Sequence, residues 1–163
     1  MSNSIDWKLL VDVRERQKTA AMGVVVRERA AAEESQAQLR QAEARQQQQV
    51  QNKLQHLEST RGALSGGQCS VAEFRSAGAW SGALDAQIAR AGEAAAEAAR
   101  AHTEREQLLE ESRRQLRAAS GELEKAQQMQ QRARTERLHL QELRLEDANE
   151  ESTAQAWAMQ RPA

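Results

Sequence analysis

The chain has 163 residues, of which only Trp7, Phe74, Trp80 and Trp157 are aromatic; 29% are charged, and the formal net charge is −1. Much of the 39% hydrophobic content is alanine, which buries too little area to offset chain entropy, so an ordinary globular core is excluded and long helices are expected. The balance of 23 basic and 24 acidic residues gives no general attraction to nucleic acid or to an anionic membrane.

Residues 1–7 lack a basic stretch followed by an apolar one, so no secretory signal is expected. No apolar run approaches the roughly 20 residues needed to cross a bilayer, so no membrane insertion is expected. The first arm is expected over residues 4–64, with apolar positions Leu10, Val13, Ala20, Val24 and Ala31, then Leu39, Ala42, Val50, Leu54, Leu57 and Leu64. The run of glutamines at 46–49 lies inside this pattern and reads as solvated helix face.

A turn is expected over residues 65–82. It opens with Ser65-Gly66-Gly67-Gln68-Cys69, the densest cluster of helix breakers in the chain. Ser70-Val71-Ala72-Glu73 has the form of a capping box, here for a short helix, and Gly78 and Gly82 flank Trp80. Phe74 and Trp80 form either a small local cluster or an exposed anchor for a partner. The lone Cys69 has no intrachain partner, which fits a reducing compartment and a bystander thiol.

The second arm, residues 83–147, has the clearest pattern. From Leu84, steps of four and three run through Ile88, Ala91, Ala95, Ala98, His102, Arg105, Leu109, Ser112, Leu116, Ala119, Leu123 and Ala126, as the a and d positions of a heptad repeat do. Near Met129 the seam is expected to shift to Met129, Ala133, Glu136, Leu140 and Leu143. Residues 148–163 form a C-terminal extension, and the only proline, Pro162, interrupts nothing upstream.

The fold class expected is therefore all-α: a long two-helix antiparallel coiled-coil hairpin with a short structured turn, filling residues 1–163. In an antiparallel pair the numbers of facing residues have a nearly constant sum, and a sum of about 148 aligns apolar positions along both arms. It sets Leu64 against Leu84, Leu57 against Ala91, Val50 against Ala98, Leu39 against Leu109 and Ile5 against Leu143. The same sum builds a polar register layer from Glu43, Gln46, His102 and Arg105. It also turns the basic start of the first arm toward Glu142, Glu146, Asp147, Glu150 and Glu151.

No convergent chemistry is evident. Gly66-Gly67 lacks the spacing and the Lys-Ser/Thr pair of a phosphate loop. His56, His102 and His139 lie on separate stretches without a second ligand at metal spacing. Catalytic residues, metal and cofactor are all expected to be none, and basic residues alternating with acidic ones argue against nucleic-acid binding.

Leu9-Leu10-Val11-Asp12-Val13-Arg14-Glu15-Arg16-Gln17-Lys18-Thr19-Ala20-Ala21-Met22, continued by Val24-Val25-Val26-Arg27-Glu28-Arg29, resembles the first helix of the type III secretion central-stalk family, which includes the flagellar FliJ and injectisome YscO (SctO) proteins. The turn segment with Phe74 and Trp80 is similar in kind. The resemblance implies a cytoplasmic stalk, peripheral to the bacterial inner-membrane export apparatus, with a role in protein export and virulence. Its partners would be a hexameric export ATPase, an export gate protein and export chaperones. It makes Asp6, Trp7, Arg14, Arg16, Lys18, Arg144 and Glu146 candidates for the ATPase contact, and Gln68, Phe74 and Trp80 candidates for the gate contact. The competing expectation is a coiled-coil chaperone or scaffold for secretion clients, without an ATPase partner.

Overall fold

A computed structural model describes residues 4–68 and 70–161. It contains two long α-helices packed against each other, α1 (Trp7–Ser65) and α2 (Val71–Met159), and no strand among the described residues. The expected all-α two-helix hairpin is the fold. Cys69 lies outside the described residues.

Each helix end has a local cause. Asp6 caps α1, its Oδ1 accepting the Leu9 N–H at 3.1 Å. At the other end Gly67 takes φ +68°, and the Gln68 N–H reaches the Ala63 carbonyl at 3.1 Å while the Gly67 N–H reaches Leu64 at 3.2 Å. These two bonds are the Schellman arrangement that terminates a helix on glycine. The capping box then starts α2: Ser70 Oγ accepts the Glu73 N–H, and Glu73 Oε2 accepts the Ser70 N–H, each at 3.2 Å.

The turn is therefore shorter than residues 65–82, and α2 begins at Val71, well before residue 83. Gly78 and Gly82 lie inside α2. Each costs about 1 kcal/mol relative to alanine, but the capped start and the packing on α1 carry the helix through them. Residues 148–159, expected as an extension, continue α2 as helix.

Packing divides the chain into two units, Met1–Met22 with Arg114–Ala163, and Gly23–Arg113. In the second unit, the buried positions are Val25, Ala32 and Ser35 on α1, and Leu84, Ala95, Leu109 and Ser112 on α2. Ser35 meets His102, Lys53 pairs with Asp85, and Gln46 lies beside Gly92. The numbers of these facing residues sum to 137 or 138, so the register at about 148 is corrected by some three helical turns. In the first unit, Val11, Leu123 and Ala126 form the buried cluster with Leu10 against it, and Arg14 reaches Glu122 at 3.8 Å.

The reason for the correction is periodicity. A slide of eleven residues returns a helix nearly to the same face, so matching apolar stripes cannot choose between two such sums. The turn does choose. Half of 137 falls at the Gly67–Ser70 turn, and half of 148 falls inside α2.

The α2 seam follows the expected heptad from Leu84 to Ala126 except at exposed Arg105, then continues through half-buried Gln130 and Ala133. Met129, Glu136, Leu140 and Leu143 are exposed, so the expected seam shift does not occur. The α1 seam is more polar than expected. It runs through Arg14, Lys18, Glu28, Gln46, Gln49, Lys53 and His56, while Val13, Val50, Leu54, Leu57 and Leu64 are exposed.

Candidate protein-interaction surfaces

At the start of α1 the Asp6 cap and the half-buried Trp7 lie across from the Gln130–Arg137 stretch of α2. Between them is an open groove of about 420 Å³, walled by Ile5, Asp6, Trp7, Lys8, Arg134 and Arg137 among others. Three of these side chains are cationic and one is anionic, so the groove favours an acidic partner. The expected facing of basic α1 residues by Glu142–Glu151 is replaced by this meeting with arginines.

The remaining candidates of that end separate. Arg14 is engaged by Glu122 at 3.8 Å and by Gln17 Oε1 at 3.0 Å. Lys18 is half-buried on the seam. Arg16 is exposed, beside Asp12, Glu15, Thr19 and Ala20 along a shallow groove. Arg144 and Glu146 are exposed on α2 beyond the start of α1 and line no surface with Asp6 or Trp7.

At the turn, the Gln68 N–H completes the α1 cap. Phe74 and Trp80 are 48% and 57% exposed. Six residues apart, they point to different sides of α2 at about 100° per residue, so they are two separate exposed aromatics and form no joint cluster. Sequence reasoning missed a neighbouring stripe, Val50, Leu54, Leu57 and Leu64, which is exposed on α1. Its four-and-three spacing is that of a seam, yet its side chains stay exposed.

The expected polar layer is also corrected. His102 Nδ1 lies 2.8 Å from Ser35 Oγ, and its Nε2 lies 3.0 Å from Glu106 Oε1. Ser35 is buried, and its Oγ is also 2.8 Å from the Ala32 carbonyl. Gln46 is drawn away to Gly92, where an added Cβ would sit 3.2 Å from its Nε2, and Glu43 and Arg105 are exposed. Four residues chosen at a sum near 148 cannot converge at 137.

Among the described residues, no group of three or more His, Cys, Asp or Glu side chains is placed to hold a metal, and no helix is long and apolar enough to cross a membrane. No protein-family model, curated protein or solved structure matches the chain.

Proposed function

We propose that this chain is a central stalk of a type III export apparatus, joining a hexameric export ATPase to a membrane export gate and promoting ATPase assembly and protein export. The observation that carries the reading is the opening 9–29 stretch, similar to the stalk family's first helix, on one arm of a two-helix hairpin. Helices about 10 Å across give a hairpin roughly 20 Å wide, which suits the central pore of a ring. The cationic groove at Lys8, Arg134 and Arg137 supports the terminal end as the ATPase contact, with Asp6, Trp7 and Arg16 beside it. Exposed Phe74 and Trp80 support the turn as the gate contact. The stalk works by contact. It has no activity of its own and needs no cofactor. Its place is cytoplasmic, at the inner-membrane apparatus, where export chaperones are further partners.

A scaffold or chaperone reading draws on the exposed Val50, Leu54, Leu57 and Leu64 stripe, which suits an amphipathic client helix. Titration into the purified export ATPase separates the two. A stalk raises turnover and hexamer formation, because only the assembled ring presents the complete site. Charge reversal at Lys8, Arg16 and Arg137 should weaken that stimulation, while Phe74→Ala with Trp80→Ala should spare it and impair export. Absence of stimulation by the unmodified chain, with a hexamer-competent ATPase, leaves the scaffold reading.

A further inference from the structure

The exposed Val50, Leu54, Leu57 and Leu64 stripe has a second wall on α2. Lys53 pairs with Asp85, and Gln46 lies beside Gly92, so these contacts mark which flank of α1 adjoins which flank of α2. Val50 and Leu57 each follow one of these α1 residues by four positions, about 40° round the helix, so they stand on the outer side of that flank. On α2, seven-residue steps lead from Gly92 through Asp85 to Gly78, with Gly82 and Ala89 just outside that line. One wall of the groove is therefore leucine and valine, and the other is glycine and alanine. All of it lies within the unit Gly23–Arg113.

The glycine wall is open. Nothing lies within 4 Å of where a Cβ would sit on Gly78 or Gly82. Glycines inside a helix cost stability, and no side chain of the chain itself uses the space they leave. Trp80, two residues from each, points away from them by about 200°. The gate contact assigned to Trp80 therefore uses another side of α2.

The turn end of the groove is cationic. Leu64 stands there across from Val71, which is 71% exposed, and Arg61 and Arg75 form the two rims. Among the described residues, neither arginine has an ion-pair partner. Asp85, the carboxylate farther along the α2 wall, is already held by Lys53.

We infer that this groove receives one amphipathic helix of a partner protein, with large aliphatic side chains on its buried face and a carboxylate at the end nearest the turn. Three features select that occupant. First, both walls are helices whose backbone groups are bonded internally, so an extended segment finds no edge to join, whereas a helix can lay its apolar face between them. Second, the glycine wall lets such a helix approach closely and leaves room for its large side chains. From Val50 to Leu64 is roughly 21 Å, or about 15 residues of helix. Third, a carboxylate set between Arg61 and Arg75 complements both. A second copy fits less well. With its leucine stripe laid on this copy's glycines, the two hairpins run parallel and all four guanidiniums meet at one level. The assignment rests on the client-helix contact of the scaffold reading, and a stalk engaged at its terminal end leaves the same flank free.

The test uses the full chain and a designed probe. The probe is a fluorescein-labelled, alanine-based helical peptide of about 18 residues, with leucines in steps of four and three and a pair of glutamates at one end. Fluorescence anisotropy should give a Kd of roughly 10⁻⁵ M. Replacing the peptide's glutamates with glutamine should weaken binding about tenfold, as should Arg61→Glu with Arg75→Glu, and a lysine-ended peptide should restore binding to that double variant. Leu54→Gln with Leu57→Gln should weaken binding at least about tenfold. Gly78→Gln with Gly82→Gln should raise Tm, because both sites are open, and yet abolish binding. Gly62→Ala, about 140° round α1 from Leu57 and also in open space, should raise Tm and leave binding unchanged. No binding to the unmodified chain at about 10⁻³ M peptide would overturn the inference. So would binding that survives the paired glycine substitutions, or that Gly62→Ala weakens equally. A dimer of the unmodified chain in sedimentation equilibrium, dissociated by Leu54→Gln with Leu57→Gln, would also overturn it, because a second copy then covers the groove. Stimulation of the ATPase is a separate readout: its absence removes the stalk and leaves the groove, whereas loss of peptide binding removes the groove and leaves the stalk.

Discussion

Ser35 and His102, 67 residues apart in sequence, share a hydrogen bond of 2.8 Å across the two helices. The bond marks which residues of α1 meet which of α2, in the register that the turn selects. Ser35 can also donate to the Ala32 carbonyl, so loss of the histidine does not leave its hydroxyl stranded. We expect Ser35→Ala and His102→Leu to show a coupling of about 1 kcal/mol in a double-mutant cycle of urea unfolding. Strict additivity of the two would remove the bond from the account of register.

Register can be read directly by cysteine crosslinking in a Cys69→Ser chain. Lys53→Cys with Asp85→Cys should oxidise rapidly within one chain, because those side chains are already an ion pair. Val50→Cys with Ala98→Cys should not, since those positions are some three turns out of step. The reverse result would reinstate a sum near 148.

Glu28 lies on the α1 seam, and one of its carboxylate oxygens is buried without a hydrogen-bond partner. A sum of 137 sets it against buried Leu109. Desolvating that oxygen costs stability, so Glu28→Leu should add about 1 kcal/mol and raise Tm by about 2–4 °C. A fall in Tm would show that the carboxylate has a compensating role.

The turn rests on one left-handed glycine and one cap. Gly67→Ala should cost about 1–2 kcal/mol, since a Cβ strains the φ of +68°. Ser70→Ala should cost about 1 kcal/mol through loss of the bond to the Glu73 N–H. Thermal melts should show both losses. Gly78→Ala, in open space within α2, should instead stabilise by roughly 1 kcal/mol.

Trp80 is more than half exposed, so Trp80→Ala should leave Tm nearly unchanged, within about 0.5 kcal/mol of stability. If the turn is the gate contact, the same change should sharply reduce gate binding in a pull-down with the purified gate protein. A large drop in Tm would assign Trp80 to packing and remove it as an anchor.

The fold was legible because alanine-rich heptads, missing prolines and a Gly-Gly break leave few alternatives. The α2 seam was legible from Leu84 to Ala126 at every position but Arg105. The register was not, because apolar matching repeats every few turns and the deciding information sits in the turn. Gly78 and Gly82 extend the expected turn too far along the chain, and the Ser70–Glu73 box caps the whole of α2 where a short helix is expected. Once the register moved, the polar layer moved with it. The α1 seam stayed hidden for a related reason: polar Gln46, Gln49 and Lys53 form it, while the apolar Val50, Leu54 and Leu57, expected there, lie outside it.

The capped five-residue turn also sets an order of events. Joining His56 to the Ala77 carbonyl closes a loop of 21 residues, whereas joining Ser35 to His102 closes one of 67. The entropy of closure rises with the logarithm of loop length, so contacts form most cheaply beside Gly67 and then lengthen one layer at a time. Val11 and Ala126, buried together, must wait for nearly all of the chain between them. Zippering of this kind keeps each new contact local although its partners are remote in sequence. It also makes the terminal layers the last to close and the first to fray, with the fastest amide exchange of the seam.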